Sequence, residues 1–387
     1  MNPVAANIAH VETIYLRVPR QLAPHMGHIL QPNEQGYLID PDNGTIYPAD
    51  DRTLLLRVTL EDGTVGWGET YGIVAAGVVR ELVDDVIAPF LRGRDPLDVQ
   101  LIWQQLYDMM RVRGYTTGFW LDALAAVDIA LWDLCGKLLG QPVRKLLGGG
   151  ARTEVPAYIT NIPGSDQAAK LAAVGEFRAQ GYKGFKVHAS SAFDAVGLIH
   201  AMRARYPDID IMLDLHWCHT AGEAMNIARA IEPCNIAFLE APVHTEDIDG
   251  LVRLAASIRI PIAVGEEWRT VFDAHLRMKS GAVSVVQPEM GRTGITQFMR
   301  ICQLAEVCHA RVAPHATIGF GVFLAASLHA STAARMLGTH EVQNHFIHRY
   351  LPRFDTTMLC EAGRYLLPEG PGLGIAPKAS LLEHAVP

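Results

Sequence analysis

The sequence predicts an α/β protein in which a (β/α)7β TIM-like barrel follows an N-terminal α+β capping domain. From Thr153 onward, eight strand-like runs alternate with seven helical stretches, which indicates parallel strands joined by right-handed crossovers. Eight such strands are the number that closes a barrel. Before residue 140, alternating runs are followed by helical periodicity, which is the pattern of a separate α+β unit.

The chain divides into three predicted segments. We expect the capping domain at 1–140, the barrel domain at 150–349 and a C-terminal tail at 350–387 that returns to the capping domain. A polar, Pro/Gly-rich insertion at about 19–51 interrupts the capping domain and is too long for a simple hairpin connection. Such a loop is either disordered or a lid, and we favour a lid that closes over the substrate.

The capping domain begins with strand-like runs. Residues 8–18 alternate weakly, and two runs within 53–69 are joined by Glu61-Asp62-Gly63, a strong signal for a β-hairpin. These runs predict an antiparallel sheet. Helical periodicity then follows at 76–91, 97–110 and 120–139.

The barrel elements repeat with a regular period. Strand-like runs lie at 153–160, 184–189, 210–216, 236–241, 262–267, 283–289, 311–315 and 340–344. Helical stretches lie between them at 165–181, 192–207, 220–233, 248–257, 270–281, 294–310 and 319–336. We expect the final helix of the barrel to be missing, because the chain after Arg349 is irregular and rich in proline and glycine.

The composition excludes several classes of partner. The formal net charge is −8 with histidine neutral, and lysine and arginine form no basic stripe, so we expect neither nucleic acid nor membrane binding. A small-molecule substrate is expected instead. The N-terminus lacks a signal-peptide pattern and no run of about 18 apolar residues occurs, so we expect a cytoplasmic protein. We also expect a homo-oligomer, although the sequence does not predict the number of subunits.

Three acidic residues, here called the carboxylate trio, end successive strand-like runs. Asp214, Glu240 and Glu266 follow one another at intervals of 26 residues, as in a βα repeat that delivers one side chain per strand to the same rim. Converging carboxylates repel each other and would be largely protonated unless a cation neutralised them. Because oxygen ligands favour a hard divalent ion, we predict one Mg²⁺ per subunit at this rim.

Acidic and histidine residues also end the last three barrel strands. Glu289, His315 and Glu341 follow one another at the same interval of 26 residues. Glu289 and His315, here called the dyad, end adjacent strands. A carboxylate beside an imidazole can fix its tautomer and raise its pKa, which suits a general base.

The second and third barrel strands carry two polar pairs. These are Lys186-x-His188 and Asp214-x-His216. Residues two apart on a strand share a face, so all four side chains can point into the barrel mouth.

Together these residues resemble the enolase superfamily. The pattern is most similar to the mandelate racemase subgroup, and within it to sugar-acid dehydratases of the D-galactonate type. The resemblance covers nearly the whole chain. It rests on Lys186-x-His188, Asp214, Glu240, Glu266, Glu289, His315, AAVDIALWDLCGK at 125–137, LLGG at 146–149 and PGLGI at 371–375.

The resemblance implies metal-assisted removal of the proton α to a carboxylate. By position, the carboxylate trio matches the metal ligands of the family, and the dyad matches its Asp–His pair. Glu341 matches the acid that hydrogen-bonds the substrate carboxylate. The superfamily's use of a lysine or histidine base with Mg²⁺ is an established property of the family.

Three departures from the family pattern bear on the reaction. The usual Lys-x-Lys is here Lys186-x-His188, so His188 is the base on that face or that face has none. The dyad acid is Glu289 rather than aspartate, and its longer side chain must fold back to reach the ring. His216 follows Asp214 by two residues, where galactonate-type dehydratases have their general acid, which favours dehydration over racemisation.

We therefore predict a hydro-lyase that abstracts the α-proton of a sugar acid and eliminates the β-hydroxyl, giving a 2-keto-3-deoxy sugar acid. The dyad takes the α-proton, and His216 protonates the departing hydroxyl. Lys186 is expected to bind substrate or exchange protons with it. His25 and His28, in the predicted lid, are expected to contact the substrate.

Other functions compete with this prediction. A racemase, an epimerase or a sugar-acid lactone cycloisomerase on the same site would differ in whether both faces carry a competent base. A metallohydrolase would want a His-x-His pair on the first barrel strand, where Val155-Pro156-Ala157-Tyr158 offers none. A binding protein that has lost turnover would not need the intact trio and dyad.

Overall fold

The computed structural model describes residues 6–22, 27–149, 152–316 and 319–386. Within these ranges the chain forms an antiparallel sheet with helices, followed by a parallel barrel. The predicted fold class is confirmed. Among the described residues, no helix combines the length and the apolar character needed to cross a lipid bilayer.

The capping domain packs helices on an antiparallel sheet. Its strands are β1 (Ile8–Val18), β2 (Tyr37–Ile39), β3 (Ile46–Pro48), β4 (Asp51–Leu60) and β5 (Val65–Thr70). Its helices are α1 (Ala76–Glu81), α2 (Ala88–Leu91), α3 (Val99–Arg111), α4 (Phe119–Leu138) and α5 (Val143–Leu146), with a π-helical stretch at Leu82–Ile87. Strands β1, β4 and β5 pair antiparallel, and β2 pairs with β3 in a separate hairpin within the predicted lid.

The barrel alternates strands with helices. Its strands are β6 (Glu154–Ile159), β7 (Gly184–His188), β8 (Asp210–Asp214), β9 (Phe238–Glu240), β10 (Ile262–Val264), β11 (Val285–Val286), β12 (Arg311–Val312) and β13 (His340–Val342). The helices between them are α6 (Gln167–Ala179), α7 (Ala195–Arg205), α8 (Ala221–Ile231), α9 (Ile248–Ala255), α10 (Val271–Met278), α11 (Met290–Val307) and α12 (Val322–Ala333).

The barrel closes through strand pairing. Strands β6 to β12 pair in chain order, and β13 pairs parallel with β6. Between β12 and β13, a bridge joins Val312 to Leu337, and the Glu341 N–H donates to the Pro314 carbonyl at 3.2 Å. A buried apolar cluster contributed by the strands fills the interior: Tyr158, Met212, Phe238, Ala263, Val285 and Ala313.

The chain after the eighth strand is more ordered than the sequence predicts. A seven-residue helix, α13 (Asn344–Tyr350), follows β13 where we expected none. Tyr350 explains its docking, because the ring stacks on Phe320 at 3.9 Å and the hydroxyl donates to Asp51 at 2.6 Å. This helix therefore contacts the capping domain and does not complete an eighth crossover.

The C-terminal tail consists of short elements. These are β14 (Phe354–Thr356), β15 (Leu359–Glu361), β16 (Arg364–Leu366), β17 (Ile375–Pro377), α14 (Ala379–Leu382) and β18 (Ala385–Val386). Strand β16 pairs antiparallel with barrel strand β6, and β18 pairs antiparallel with β1 of the capping sheet. The domain boundaries at 140, 150 and 349 remain predictions.

Helix α4 joins the capping sheet to the barrel. It is buried almost all round, because most of its residues are apolar or small and its three aspartates are buried as well. Its close approach to β5 requires glycine: a Cβ on Gly68 would lie 2.0 Å from the Ala126 carbonyl oxygen, and one on Gly66 would lie 2.5 Å from that of Ala130. Its other side packs on α11 of the barrel.

Buried carboxylates of the capping domain bond to the barrel and the tail. Asp122 binds the Arg269 guanidinium, Asp128 accepts from Thr296, Asp133 accepts from the Leu373 N–H, and Glu69 accepts from N–H groups of Phe320, Gly321 and Phe323. A buried carboxylate without partners is costly, so these bonds favour one arrangement of the two domains.

We expect Asp122→Ala to lower the free energy of unfolding by about 3–5 kcal/mol, because it leaves a guanidinium poorly solvated and unpaired. The Arg269 side chain is 14% exposed and makes two bonds to Asp122, at 2.8 and 3.1 Å. Urea titration followed by circular dichroism measures the loss. Asp208→Ala, which removes the exposed pair with Arg178, is the control and should leave the midpoint unchanged. Equal midpoints for both variants would contradict this account.

Candidate active site

The carboxylate trio lies at the carboxyl-terminal rim of the barrel. Asp214 and Glu240 are the last residues of β8 and β9 and are paired in register, while Glu266 lies two residues beyond β10. His188 is the last residue of β7 and pairs in register with Asp214. The equal spacing in sequence therefore corresponds to neighbouring positions on one rim.

The dyad and Glu341 complete the rim. Glu289 directly precedes α11 and forms an isolated parallel bridge with His315, which follows β12. Glu341 lies within β13 and is fully buried. All the predicted strand-end residues thus meet at the same end of the barrel, where active sites of this architecture are found.

The ammonium group of Lys186 lies among the buried carboxylates. Its Nζ donates to Glu240 Oε1 at 2.8 Å and lies 3.0 Å from Glu341 Oε1 and 3.7 Å from Asp214 Oδ2. Burial alone would lower the pKa of Lys186, but the carboxylates of Glu240 and Glu341 raise it well above its usual range. Lys186 is therefore an ion-pair partner of the buried acids in this arrangement.

His315 is held between two carboxylates. Its Nδ1 lies 2.7 Å from Glu289 Oε2, and its Nε2 lies 2.8 Å from Glu266 Oε2. The Glu289 side chain folds back as its length requires, so that its Oε1 accepts from the Gly291 N–H at 3.3 Å. Burial opposes charge on the ring, but Glu266 and Glu341 raise the pKa of His315 well above its usual range.

His188 and His216 lie together against Asp214. Nδ1 of His188 is 3.2 Å from Asp214 Oδ2, Nδ1 of His216 is 3.6 Å from Asp214 Oδ1, and the ring centroids are 5.0 Å apart. The second ring nitrogen of His188 bonds to the Thr160 hydroxyl at 2.8 Å, so both its nitrogens have polar neighbours. Because β8 and β12 are four strands apart in an eight-stranded barrel, this pair faces His315 across the mouth.

His216 reaches this position through an unusual backbone conformation. Its φ is 48°, and its amide N–H donates to Asp214 Oδ1 at 2.9 Å. The left-handed conformation is uncommon for a residue with a side chain and costs free energy, so its occurrence at a rim indicates a functional site.

The rim residues fit a divalent cation. Among the described residues, Oε2 of Glu240 is buried without a hydrogen-bond partner. Burial and the neighbouring Asp214 raise the pKa of Glu240 to about 8, although the ammonium group of Lys186 acts to lower it. Potential ligand atoms lie within 4.8 Å of one another in two groups: His188, Asp214 and His216, and Glu240, Glu266 and His315. The carboxylate trio is divided between these groups, with Asp214 in the first and Glu240 and Glu266 in the second, and its oxygen donors favour Mg²⁺ over a softer metal.

The predicted lid contacts the rim beside β7. Nε2 of His28 lies 3.2 Å from both Asp42 Oδ2 and Ser190 Oγ, and Asp42 accepts from the N–H of Ser191 at 2.9 Å and from its hydroxyl. These contacts join the insertion to the β7–α7 loop and place His28 there, not against the carboxylate trio. His25 lies outside the described residues, and the closing motion remains a prediction.

Two residues of the site were missed by sequence reasoning. Thr160 directly follows β6 and bonds to His188, and the Trp217 indole N–H donates to Glu266 Oε1 at 3.4 Å. Thr160 is a polar residue at the end of the first barrel strand, a signal of the same kind as the others. Trp217 lies on a loop after β8, where no periodicity points to it.

Two family models match the chain. "Mandelate racemase / muconate lactonizing enzyme, N-terminal domain" matches residues 47–148, and "Enolase C-terminal domain-like" matches residues 168–381. The chain belongs to the enolase superfamily. The resemblance to the mandelate racemase subgroup is thereby confirmed, and the chain is an enzyme of this superfamily.

Relatives of this superfamily member include a dehydratase, a cycloisomerase and a putative isomerase. D-galactonate dehydratase of Ralstonia nicotianae is 31% identical over 350 residues, 86% of this chain and 90% of that protein. D-galactarolactone cycloisomerase of Agrobacterium fabrum is 33% identical over 341 residues, 83% of this chain and 88% of that protein. A putative isomerase from Sinorhizobium meliloti has been solved; it is 47% identical, with a TM-score of 0.95 over 98% of this chain and 99% of that one.

Magnesium binding is found among enolase superfamily members. A racemase from Streptomyces coelicolor A3(2), 25% identical with a TM-score of 0.82 over 98% of this chain and 100% of that one, has been solved with bound magnesium.

Replacing any member of the carboxylate trio should weaken Mg²⁺ binding by at least about 10-fold, because each substitution removes an anionic oxygen. The variants are Asp214→Asn, Glu240→Gln and Glu266→Gln, and isothermal titration calorimetry measures their affinities. Asp128→Asn, at an equally buried acid of α4, is the control and should bind Mg²⁺ like the unaltered protein. Unchanged affinity in all three variants would remove the metal site from this interpretation.

Mg²⁺ binding should also release a proton. Because the pKa of Glu240 is about 8, the group is mostly protonated below that pH and must lose its proton to become a ligand. Affinity should therefore rise with pH up to about 8 and level off above it. Calorimetry near neutral pH, in two buffers of different ionisation enthalpy, should give different heats, and well above the pKa it should not. Identical heats in both buffers near neutral pH would contradict the raised pKa.

Proposed function

We propose that this enzyme is a Mg²⁺-dependent sugar-acid dehydratase that converts its substrate to a 2-keto-3-deoxy sugar acid. The observation that carries the proposal is a pair of differently held histidines on opposite sides of the barrel mouth. His315 is bonded to the dyad carboxylate, and His216 lies against Asp214. Elimination of water needs both a base for the α-proton and an acid for the leaving hydroxyl.

His315 is the proposed base. Its Nδ1 faces Glu289, so the carboxylate favours the tautomer with the proton on Nδ1. Its Nε2 lies 2.8 Å from Glu266 Oε2 and would take the α-proton when Glu266 is engaged as a metal ligand. The Glu289 carboxylate stabilises the imidazolium that results. Glu289 is itself fully buried and held by the Gly291 N–H, which keeps the ring in one orientation.

His216 is the proposed acid. Its Nδ1 is buried 3.6 Å from Asp214 Oδ1, which leaves Nε2 as the nitrogen for a substrate hydroxyl, and the side chain is 18% exposed. It can therefore give a proton to a hydroxyl that approaches from the open side. His188 is less suited to this role because Thr160 already occupies its second nitrogen.

Lys186 and Glu341 are proposed to receive the substrate carboxylate. Their side chains lie 3.0 Å apart at the buried end of the mouth, where the ammonium group can bind the substrate carboxylate and Glu341 can donate to it only in its protonated form. The carboxylate trio would hold Mg²⁺, which supplies Lewis-acid stabilisation of the negative charge that develops when the α-proton leaves.

A lactone cycloisomerase is the second candidate. It is favoured by the 33% identity to the relative named D-galactarolactone cycloisomerase. Such a reaction can share the first proton transfer with dehydration and differ in the group that leaves. The two candidates therefore make different demands on His216.

A substrate screen tests the proposal. The purified protein with Mg²⁺ is assayed against aldonic acids, aldaric acids and their lactones, and 2-keto products are detected as semicarbazones. Formation of a 2-keto-3-deoxy acid from an open-chain acid supports the dehydratase. Turnover of lactones alone would favour the cycloisomerase, and no turnover of any member would count against both.

Two histidine variants separate the proton transfers. His315→Asn should lose both dehydration and exchange of the α-proton with solvent deuterium, because the base acts in the first step. His216→Asn should lose about 10²–10⁴-fold in dehydration but keep exchange, because the acid acts only in the second step. Proton NMR in deuterium oxide follows both reactions in one sample.

The dehydratase assignment would fail at its key residue if His216→Asn dehydrated sugar acids at the unaltered rate. His309→Asn, at an exposed histidine that precedes β12, serves as the control and should keep both reactions.

A further inference from the structure

The end of capping strand β5 touches both barrel segments that carry the dyad. Glu69 and Tyr71 lie at this end, and they contact the start of α12 and the start of α11 respectively. Helix α11 begins directly after Glu289, and the first residue bonded by Glu69, Phe320, lies five residues after His315. The two halves of the dyad are therefore each connected to one capping strand.

On the Glu289 side, the connection runs through one residue, Gly291. The N–H of Gly291 donates to Glu289 Oε1 at 3.3 Å, while the carbonyl of Gly291 accepts from the Tyr71 N–H at 3.0 Å. The Thr70 hydroxyl donates to two carbonyl oxygens, that of Asp122 at 2.7 Å and that of Gly291 at 3.2 Å. Movement of β5 would thus move the group that holds the dyad acid.

On the His315 side, the connection is a buried carboxylate. Glu69 is fully buried, and it accepts from the N–H groups of Phe320 at 2.6 Å, Gly321 at 3.3 Å and Phe323 at 3.0 Å. The Thr53 hydroxyl adds a fourth bond at 2.8 Å. An anion at the first turn of α12 satisfies N–H groups that the helix cannot bond itself, so the loop from His315 has a fixed end.

The ring of Phe323 links the two sides. A Cβ on Gly319 would lie 2.4 Å from this ring, and a Cβ on Gly291 would lie 2.9 Å from it. The ring therefore packs between the backbone after His315 and the backbone after Glu289, in a space that only glycine leaves open. Glu69 holds the N–H of this same residue, so its carboxylate sets the position of the ring.

We propose that Glu69 is a positioning residue for the Glu289–His315 dyad. This role rests on the proposed function in one respect, namely that the dyad is the base. The Glu69 carboxylate holds the start of α12 and, through Phe323 and Gly291, keeps the dyad acid and the imidazole in bonding contact. The capping domain thereby sets the geometry of the proton transfer as well as covering the site.

Two variants of Glu69 test the proposal. Glu69→Gln places an amide donor against backbone N–H groups. Glu69→Asp keeps the charge but has a shorter side chain, and this milder change can be tested if Glu69→Gln folds poorly. The matched control is Asp133→Asn, which alters another fully buried capping acid that bonds to backbone N–H groups, those of Trp67 and Leu373, away from the dyad.

The first readout does not depend on any substrate. The proton between His315 and Glu289 should give a low-field resonance in the proton NMR spectrum, assigned by its loss in His315→Asn. We expect this resonance to be lost or shifted in Glu69→Gln, partly kept in Glu69→Asp and unchanged in Asp133→Asn. Mg²⁺ affinity should stay within about twofold of the unaltered protein, because Glu69 contacts no member of the carboxylate trio.

The second readout is turnover of the sugar acid found by the screen. A misplaced base should lower kcat and the α-proton exchange rate about 10–100-fold with little change in KM. Asp133→Asn should lower the thermal midpoint but keep kcat.

Retention of both the resonance and kcat in Glu69→Gln, with only a lower thermal midpoint, would overturn the positioning role. If the unaltered protein turns over no sugar acid, the proposed function fails on its own, and the resonance still decides the role of Glu69.

Discussion

The buried ammonium group of Lys186 is the charge on which the barrel mouth depends. It lies within 3.0 Å of both Glu240 and Glu341, which are almost completely shielded from water. Without it, these two carboxylates would repel each other in a medium of low polarity and one would take up a proton. Even with this ammonium group, the rim has more negative than positive charge, and a divalent cation would relieve that excess. Burial is the main cause of the raised pKa of Glu240, and the neighbouring Asp214 and Glu341 add to it.

Buried charges of the capping domain also make the two domains interdependent. The capping domain directs its own buried acids, such as Asp122 and Glu69, into the barrel, where guanidinium and backbone N–H groups receive them. Each bond is favourable only in one relative placement of the domains, because elsewhere the acid would be buried without a partner. A capping domain attached in this way is well suited to hold active-site segments, since its strand β5 ends between the two loops of the dyad.

The period of the barrel and the polar residues that end its strands could be predicted from the sequence, because both follow from the alternation of buried strands and helices. The partner of each side chain could not. Lys186 bonds to Glu240, 54 residues away, and no local pattern distinguishes that acid from its neighbours. The left-handed backbone of His216 and the Thr160 contact depend on loop geometry. The helix α13 was missed because its seven residues are too few for a clear helical period.

Dehydration and lactone opening differ in the leaving group. A hydroxide ion is a poor leaving group and needs a proton from an acid, whereas a lactone oxygen leaves as a stable carboxylate and needs none. A barrel specialised for lactones would not need an acid on the side opposite the proposed base, whereas His216 places an imidazole against Asp214 on that side of the mouth. A reaction in which the leaving group must be protonated makes use of this histidine, and this is the physical reason for placing dehydration first.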